Sequence, residues 1–162
     1  MDTAIPIRTF VALELPSPFQ REVGDLAAVL KPRFDKVRWT AAEVHLTLRF
    51  LGKALPDQLR RLEAPLRLVA LSCPRAEIHF EGLGLFPERG SPRVLWLGAR
   101  LPERVLALRE ECEAAAVTAG FPSEDRPFRP HLTLGRWRDR VRRPSLPSVS
   151  LGPAVLETLT VF

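Results

Sequence analysis

The stretch that decides the fold is HLTL at residues 45–48, which recurs as HLTL at residues 131–134, an offset of 86 residues. The same offset carries the Leu-Pro pair at 15–16 onto the pair at 101–102. In each half a predicted strand runs into Leu-Pro and is followed by a helical pattern, a loop and the HLTL strand. We therefore predict one domain, 1–162, containing two strand–helix–strand repeats at about 5–52 and 91–136.

The predicted fold class is α+β. Two repeats related by a pseudo-twofold axis would form a bilobal domain, with the HLTL strands facing each other across a central cleft and the helices outside. Gly82 and Gly84 are interpreted as turn residues. Predicted helices begin near residues 17, 56 and 102, and predicted strands cover 6–13, 37–39, 44–51, 76–80, 93–97, 131–136 and 155–162.

The composition favours an anionic partner. The net charge is +5, and nearly all of the positive charge is arginine, whose guanidinium pairs with phosphate oxygens in a bidentate fashion. A solvated basic surface is the alternative interpretation of the same charge. The N-terminal sequence has no basic segment followed by an apolar run, and we expect a cytoplasmic protein. Cys73 and Cys112 lie in no CxxC pattern and are predicted to be free thiols.

The alternation of a β-strand separates the HLTL side chains into two sets. Successive side chains point to opposite faces, so the histidine and threonine of each motif share a face, with Cα atoms about 6–7 Å apart. The same alternation assigns Arg49 to the polar face and Phe50 to the core. The face predicted to line the cleft therefore holds His45, Thr47, Arg49, His131 and Thr133.

Two imidazoles and two hydroxyls suit displacement at a phosphate without a metal. The reaction needs a base on the attacking oxygen and an acid on the leaving oxygen, and the pKa of histidine near neutrality serves both roles. The threonines can donate to the non-bridging oxygens. One HxT pattern alone is typical of an ordinary strand, but two of the three histidines fall in identical tetrapeptides. The third, His79, is interpreted as solvated or salt-bridged. Zinc would need further ligands that neither motif offers.

The sequence resembles the LigT-like RNA 2′,3′-cyclic phosphodiesterases of the two-histidine phosphoesterase superfamily. The resemblance is carried by the two HXTX motifs and by their surroundings, which are RTFVA at 8–12, VRW at 37–39, HLTLRFLG at 45–52, RVLWLG at 93–98 and FRPHLTLGR at 128–136. It covers almost the whole chain in the right order. It implies two βα lobes with antiparallel sheets lining a central groove.

The resemblance also implies roles for individual residues. An RNA 2′,3′-cyclic phosphate would be hydrolysed to a 2′-phosphate, with His45 protonating the leaving 3′ oxygen and His131 accepting a proton from water. Thr47 and Thr133 would hold the phosphate, and Arg136 would contact the phosphate or its neighbouring nucleotide. Some members of this family also join RNA ends through 2′–5′ linkages, so the reaction could also serve ligation.

The substrate side of the site is less defined by the sequence. Phe128, in the loop before the second motif, is a candidate for contact with a base, and the arginines at 126, 129, 138, 140, 142 and 143 form either an RNA track or a solvated basic face. We expect an RNA partner, no cofactor or metal, no membrane and a monomer. The alternatives are the same fold acting on a small cyclic nucleotide or a 2′–5′ oligonucleotide, and an RNA-binding module without catalysis.

Overall fold

A computed structural model describes residues 5–40 and 44–162. Three α-helices are assigned in these ranges, α1 (Ser17–Leu30), α2 (Pro56–Leu71) and α3 (Glu103–Thr118), with a 3₁₀ turn (Lys31–Arg33) after α1. The strands are β1 (Ile7–Glu14), β2 (Arg38–Trp39), β3 (His45–Ala54), β4 (Ala76–Phe86), β5 (Val94–Arg100), β6 (His131–Arg136), β7 (Ser150–Leu156) and β8 (Leu159–Val161). The three helices and the HLTL strands confirm the main predictions.

The strands form two antiparallel sheets. One sheet has the order β3-β1-β8 and the other has the order β2-β6-β5-β4-β7. Each HLTL strand lies beside the first strand of its own repeat, because β3 pairs with β1 and β6 pairs with β5. Helix α1 packs on β7, and α3 packs on both α2 and β3. The α+β fold with two antiparallel sheets is confirmed, whereas the repeat boundaries and the pseudo-twofold axis stay predictions.

The core is built by the alternation that the sequence predicted for the HLTL strands. Leu46 is fully buried and Leu48 nearly so, and their counterparts in the second motif, Leu132 and Leu134, are fully buried. Burying four leucine side chains contributes roughly 1.5–3 kcal/mol each, which fixes the register of both strands. The histidines and threonines of the motifs are left half-exposed on the opposite face.

The alternation fails directly after the first motif. The pairing of β1 with β3 shifts register twice, between Thr9 and Phe10 and between Val11 and Ala12, as expected for bulges. As a result Arg49 is 5% exposed and Phe50 is 48% exposed. The prediction that Phe50 points into the core is therefore wrong, since a bulge reverses which side chain faces inward.

Strand β4 is longer than predicted and passes through two glycines that were interpreted as turn residues. Gly82 sits at a register shift with a φ of 75°, and Gly84 lies inside the strand. A Cβ on Gly84 would lie 2.0 Å from the Trp96 ring, so the glycine is needed for the indole to pack flat on the strand. Within one continuous strand, Gly82 therefore allows a bulge and Gly84 allows the close approach of the Trp96 ring.

The predicted last strand, 155–162, is two strands in different sheets. β7 pairs with β4 in the five-stranded sheet, and β8 pairs with β1 in the three-stranded sheet. The chain changes sheets between Leu156 and Leu159. Strand β2 makes the opposite crossing, because it precedes β3 in the chain and yet pairs with β6. None of the helices in the described part of the chain is long and apolar enough to cross a membrane.

Candidate active site

The two HLTL strands lie next to each other across the gap between the sheets. Strands β3 and β6 approach within 8 Å at Cα, and the cleft beside them has a volume of about 540 Å³. Its lining includes six of the seven predicted site residues, which are Thr47, Arg49, Phe128, His131, Thr133 and Arg136. The seventh, His45, is not among the lining residues and lies two residues before Thr47 on the same strand.

His131 is held in one tautomer. Its Nδ1 lies 2.6 Å from the backbone carbonyl of Arg129, and because a carbonyl only accepts hydrogen bonds, Nδ1 must carry the proton. The other ring nitrogen, Nε2, then has a lone pair when the ring is neutral. Burial lowers the pKa of His131 from its usual value, the hydrogen bond to the Arg129 carbonyl opposes this, and the charge of Arg136 lowers the pKa further. These surroundings favour a neutral imidazole, the form that can act as a base.

Each histidine is flanked by two aromatic rings, which come from neighbouring strands or, for Phe162, from the residue after β8. The His45 ring is stacked on Phe162, with centroids 4.3 Å apart and planes 24° apart, and its centroid lies 5.2 Å from that of Phe10. The His131 ring meets Phe86 edge-on, at 5.2 Å and 79°, and lies 5.8 Å from Trp96. Aromatic contacts on two sides restrict the rotation of both imidazoles.

The threonines are placed by the strands themselves. Thr47 lies opposite Ala12 of β1, and Thr133 lies opposite Trp96 of β5. The Thr40 hydroxyl donates to the Thr133 carbonyl at 3.3 Å, which fixes the backbone of β6 at that point. Both threonine side chains are half-exposed and line the cleft, so their hydroxyls can reach a bound anion.

Arg49 is a structural part of the cleft wall. Its Nε donates to Glu113 of α3, and its two terminal nitrogens donate to the carbonyls of Phe50 and Pro122. Glu113 also accepts from the backbone N–H of Glu124, so one carboxylate joins α3, β3 and the following loop. This engagement shows Arg49 positioning the wall, and its predicted contact with substrate stays a prediction.

Arg109 is a cleft residue that the sequence reasoning missed. It projects from α3, is 8% exposed, and its guanidinium carbon lies 5.1 Å from the centroid of the Phe128 ring. One terminal nitrogen donates to Glu110, while no partner for the buried Nε is found within the described part of the chain. In the sequence, Arg109 lies beside the apolar stripe of α3, and an arginine at such a position is usually interpreted as a solvated cation. The geometry leaves this guanidinium able to donate to a ligand in the cleft.

The predicted arginine cluster divides into two groups. Arg126 pairs with Glu124, Arg129 pairs with Glu88, and Arg143 donates to the carbonyls of Pro87 and Gly90. Three arginines, at 138, 140 and 142, make no side-chain ion pair in the part of the chain that the structure covers.

Two smaller predictions are confirmed at the surface. His79 is exposed and lies 3.3 Å from Glu77, as predicted for a salt-bridged histidine. Both cysteines are free. Over residues 5–40 and 44–162 no group of three or more His, Cys, Asp or Glu side chains is arranged to hold a metal ion.

Two HxT strands from an internal repeat, meeting beside one cleft in an α+β frame, define a two-histidine phosphoesterase. The chain matches the family model of the 2′-5′ RNA ligase superfamily over residues 15–155 and belongs to that family.

Relatives and solved structures agree with this assignment. A Methanothermobacter thermautotrophicus protein named RNA 2′,3′-cyclic phosphodiesterase is 34% identical over 131 residues, which is 80% of this chain and 71% of that protein. A crystal structure of a Thermus thermophilus protein is similar with a TM-score of 0.78 and 28% identity, covering 96% of this chain and 87% of that one. Escherichia coli LigT in complex with 3′-AMP has a TM-score of 0.72 and 27% identity, with the same coverage.

Proposed function

We propose that this protein hydrolyses RNA 2′,3′-cyclic phosphate ends to 2′-phosphomonoesters without a metal, using His45 and His131 as acid and base. The most direct support is that the two HxT strands lie close together beside one cleft. In addition, His131 is fixed in the tautomer that leaves Nε2 as its basic nitrogen. Relatives that carry the cyclic phosphodiesterase name support the substrate class.

The proposed step is an in-line displacement at phosphorus. Water attacks the phosphorus opposite the 3′ oxygen and gives its proton to Nε2 of His131. The P–O3′ bond breaks, and protonated His45 gives its proton to the leaving 3′ oxygen. The products are a 2′-phosphate and a 3′-hydroxyl, and the two histidines exchange protons with solvent to restore their starting states.

Electrostatic stabilisation would come from the hydroxyls and a nearby cation. Thr47 and Thr133 each carry one O–H that can donate to a non-bridging oxygen, where negative charge increases in the transition state. Arg136 lines the same cleft and is exposed at the end of β6. An RNA 5′-hydroxyl placed where the water attacks would give a 2′–5′ linkage, so the same residues also serve the ligation that the family name describes.

The test is to incubate a short RNA that ends in a 2′,3′-cyclic phosphate with the enzyme in EDTA and to identify the product end. We expect a 2′-phosphate, with turnover lost in His45→Ala and His131→Ala. His79→Ala is the matched control, because His79 is an exposed histidine far along β4 from the cleft and should keep full activity. A 3′-phosphate product, or turnover that survives in both motif variants, would contradict the proposal. Activity that EDTA removes and a metal restores would contradict its metal independence.

A further inference from the structure

A second depression, separate from the cleft, collects cationic side chains from both halves of the chain. Its volume is about 410 Å³. The first half contributes the turn after α1, and the second half contributes the segment after β6. Four cations and one acidic residue line it, which are Arg33, Lys36, Arg140, Arg142 and Asp35.

The four cations are exposed and unpaired, unlike many arginines elsewhere on the protein. Eight arginines form ion pairs with carboxylates, whereas these four side chains make none in the described ranges 5–40 and 44–162. Four of the cationic side chains that make no ion pair in these ranges therefore lie around one depression. Arginine and lysine groups that converge without protein partners are typical of a phosphate site.

The depression is fixed in shape by contacts beneath it. The Trp137 indole N–H donates to the carbonyl of Asp35 at 2.9 Å, and the Trp137 ring packs edge-on against Phe34. On the other side, the Ser91 hydroxyl donates to the carbonyl of Val141 and accepts from its N–H. The cationic turn and the cationic loop are thus held by hydrogen bonds before any ligand binds.

The aromatic residues of the depression are not available for stacking on a nucleobase. Its two aromatic residues, Phe34 and Trp137, are 3% and 5% exposed, so neither offers a free ring face for stacking. The exposed side chains of the lining are the charged ones. A site of this kind binds the phosphate backbone and is insensitive to base identity.

The depression and the cleft are lined by consecutive residues at the end of β6. Arg136 lines the cleft, and the next residue, Trp137, lines the depression. At about 3.3 Å per residue, six residues separate Trp137 from His131 by roughly 20 Å. A single cyclic nucleotide in the cleft cannot span that distance, but an RNA strand whose end lies at His131 can.

We propose that this depression is a second phosphate-binding site, which holds the backbone of the RNA upstream of the cyclic end and makes RNA a better substrate than a mononucleotide. This proposal rests on the proposed function, since it assigns the substrate class of the same active site. It predicts a preference for chain length with no preference for sequence.

The experiment compares two substrates, 2′,3′-cyclic CMP and a 12-nucleotide RNA with a 2′,3′-cyclic end, in the variant Arg140→Glu/Arg142→Glu. We expect KM for the RNA to rise about tenfold at low salt, while kcat/KM for the mononucleotide stays within twofold of wild type. The slope of log(1/KM) against log[salt] should become shallower by about 0.7 for each phosphate that the variant no longer neutralises. Arg33→Glu/Lys36→Glu should repeat the effect from the other half of the chain.

The matched control is Arg61→Glu/Arg104→Glu, which makes the same change in charge on exposed arginines of α2 and α3. The two double variants at the depression, Arg140→Glu/Arg142→Glu and Arg33→Glu/Lys36→Glu, are called the pocket variants. An unchanged KM for RNA in these variants would overturn the proposal, and so would an equal rise of KM in the control. The affinity for a labelled RNA with an ordinary 3′-phosphate end, measured by anisotropy, separates this proposal from the proposed function. Loss of that affinity only in the pocket variants supports the site even if no cyclic phosphate is hydrolysed.

Discussion

The surroundings of His45 and of His131 are built to the same plan and differ in detail. In each sheet the HLTL strand is followed by a middle strand and a third strand, β3-β1-β8 and β6-β5-β4. One aromatic ring comes from the middle strand, and the other comes from the third strand or, for Phe162, from the residue directly after it. The middle-strand rings, Phe10 and Trp96, are themselves separated by the repeat offset of 86 residues. The repeat therefore extends beyond the HLTL motif to the side chains that hold each histidine.

The difference lies in the orientation of the third-strand ring. Phe162 presents its face to His45, whereas Phe86 meets His131 edge-on. The face of an aromatic ring carries partial negative charge and attracts a cation, and the edge carries partial positive charge. Burial and Arg136 also disfavour a charge on His131. The two HLTL strands thus supply two similar histidines in different surroundings, which agrees with the proposed donor role of His45 and acceptor role of His131.

The largest expected effect separates these two roles by changing the leaving group. His45→Ala and His131→Ala should each lower kcat about 10²- to 10⁴-fold with an ordinary cyclic phosphate. A substrate with sulfur at the 3′ bridging position leaves as a thiolate and needs no acid. We expect it to restore most of the activity of the His45 variant and none of the His131 variant, as measured by single-turnover rates. Rescue of the His131 variant instead would reverse the assignment.

The next effect tests whether the two threonines are equivalent. Thr47→Val and Thr133→Val each replace the hydroxyl donor with a methyl group and leave the size of the side chain nearly unchanged. Each should lower kcat by about 10²-fold if the hydroxyl stabilises the transition state. Thr→Ser at each position keeps the hydroxyl and should keep activity within about tenfold. A loss confined to one position would show that only one half of the repeat contacts the charged oxygens.

The pH dependence of kcat/KM should be bell-shaped, with its acid limb set by His131. Because the pKa of His131 is lowered, the acid limb should lie below about pH 6.5, and activity should fall as the pH drops through it. Arg136→Gln removes a charge that lowers this pKa and should move the acid limb to higher pH, whereas Arg136→Lys should not. A flat profile between pH 5 and 9 is incompatible with paired histidine catalysis.

The smallest effect concerns the stacked ring. Phe162→Leu removes the ring face beside His45, and a contact of this kind is worth about 0.5–1 kcal/mol at a partly exposed site. We expect kcat to fall a few-fold and the basic limb of kcat/KM to move to lower pH by up to about 0.7 units. Phe162→Trp keeps a ring face and should behave like the wild type. A lower kcat with an unchanged basic limb would show that Phe162 only positions the His45 ring and does not stabilise its charge.

Much of the fold and the centre of the site could be predicted because they depend on local patterns. The alternation in the HLTL strands places the leucines in the core and the histidines and threonines on the open face, and no distant partner changes that. Helical spacing of apolar residues likewise predicted α1, α2 and α3. These signals lie within about 15 residues of chain, where sequence periodicity is informative.

The features that the sequence did not reveal depend on distant contacts. The bulges that expose Phe50 and bury Arg49 require β1 as a partner, and the Arg49–Glu113 pair joins residues 64 positions apart. Strand β7 contains Gly152 and Pro153 and lacks a clear alternation. The aromatic neighbours of the histidines come from other strands, so only the sheet order identifies them.

The exchange of strands between the two sheets has a consequence for folding. Strand β2 carries the first half into the sheet of the second, and β8 ties the chain after the second half to β1. Backbone hydrogen bonds between Phe10 and Phe162 and between Thr40 and Leu134 secure these two crossings. Each sheet therefore includes a strand from the other half of the chain, and neither half can complete its sheet alone. The two walls of the cleft thus form only when both halves of the chain fold together.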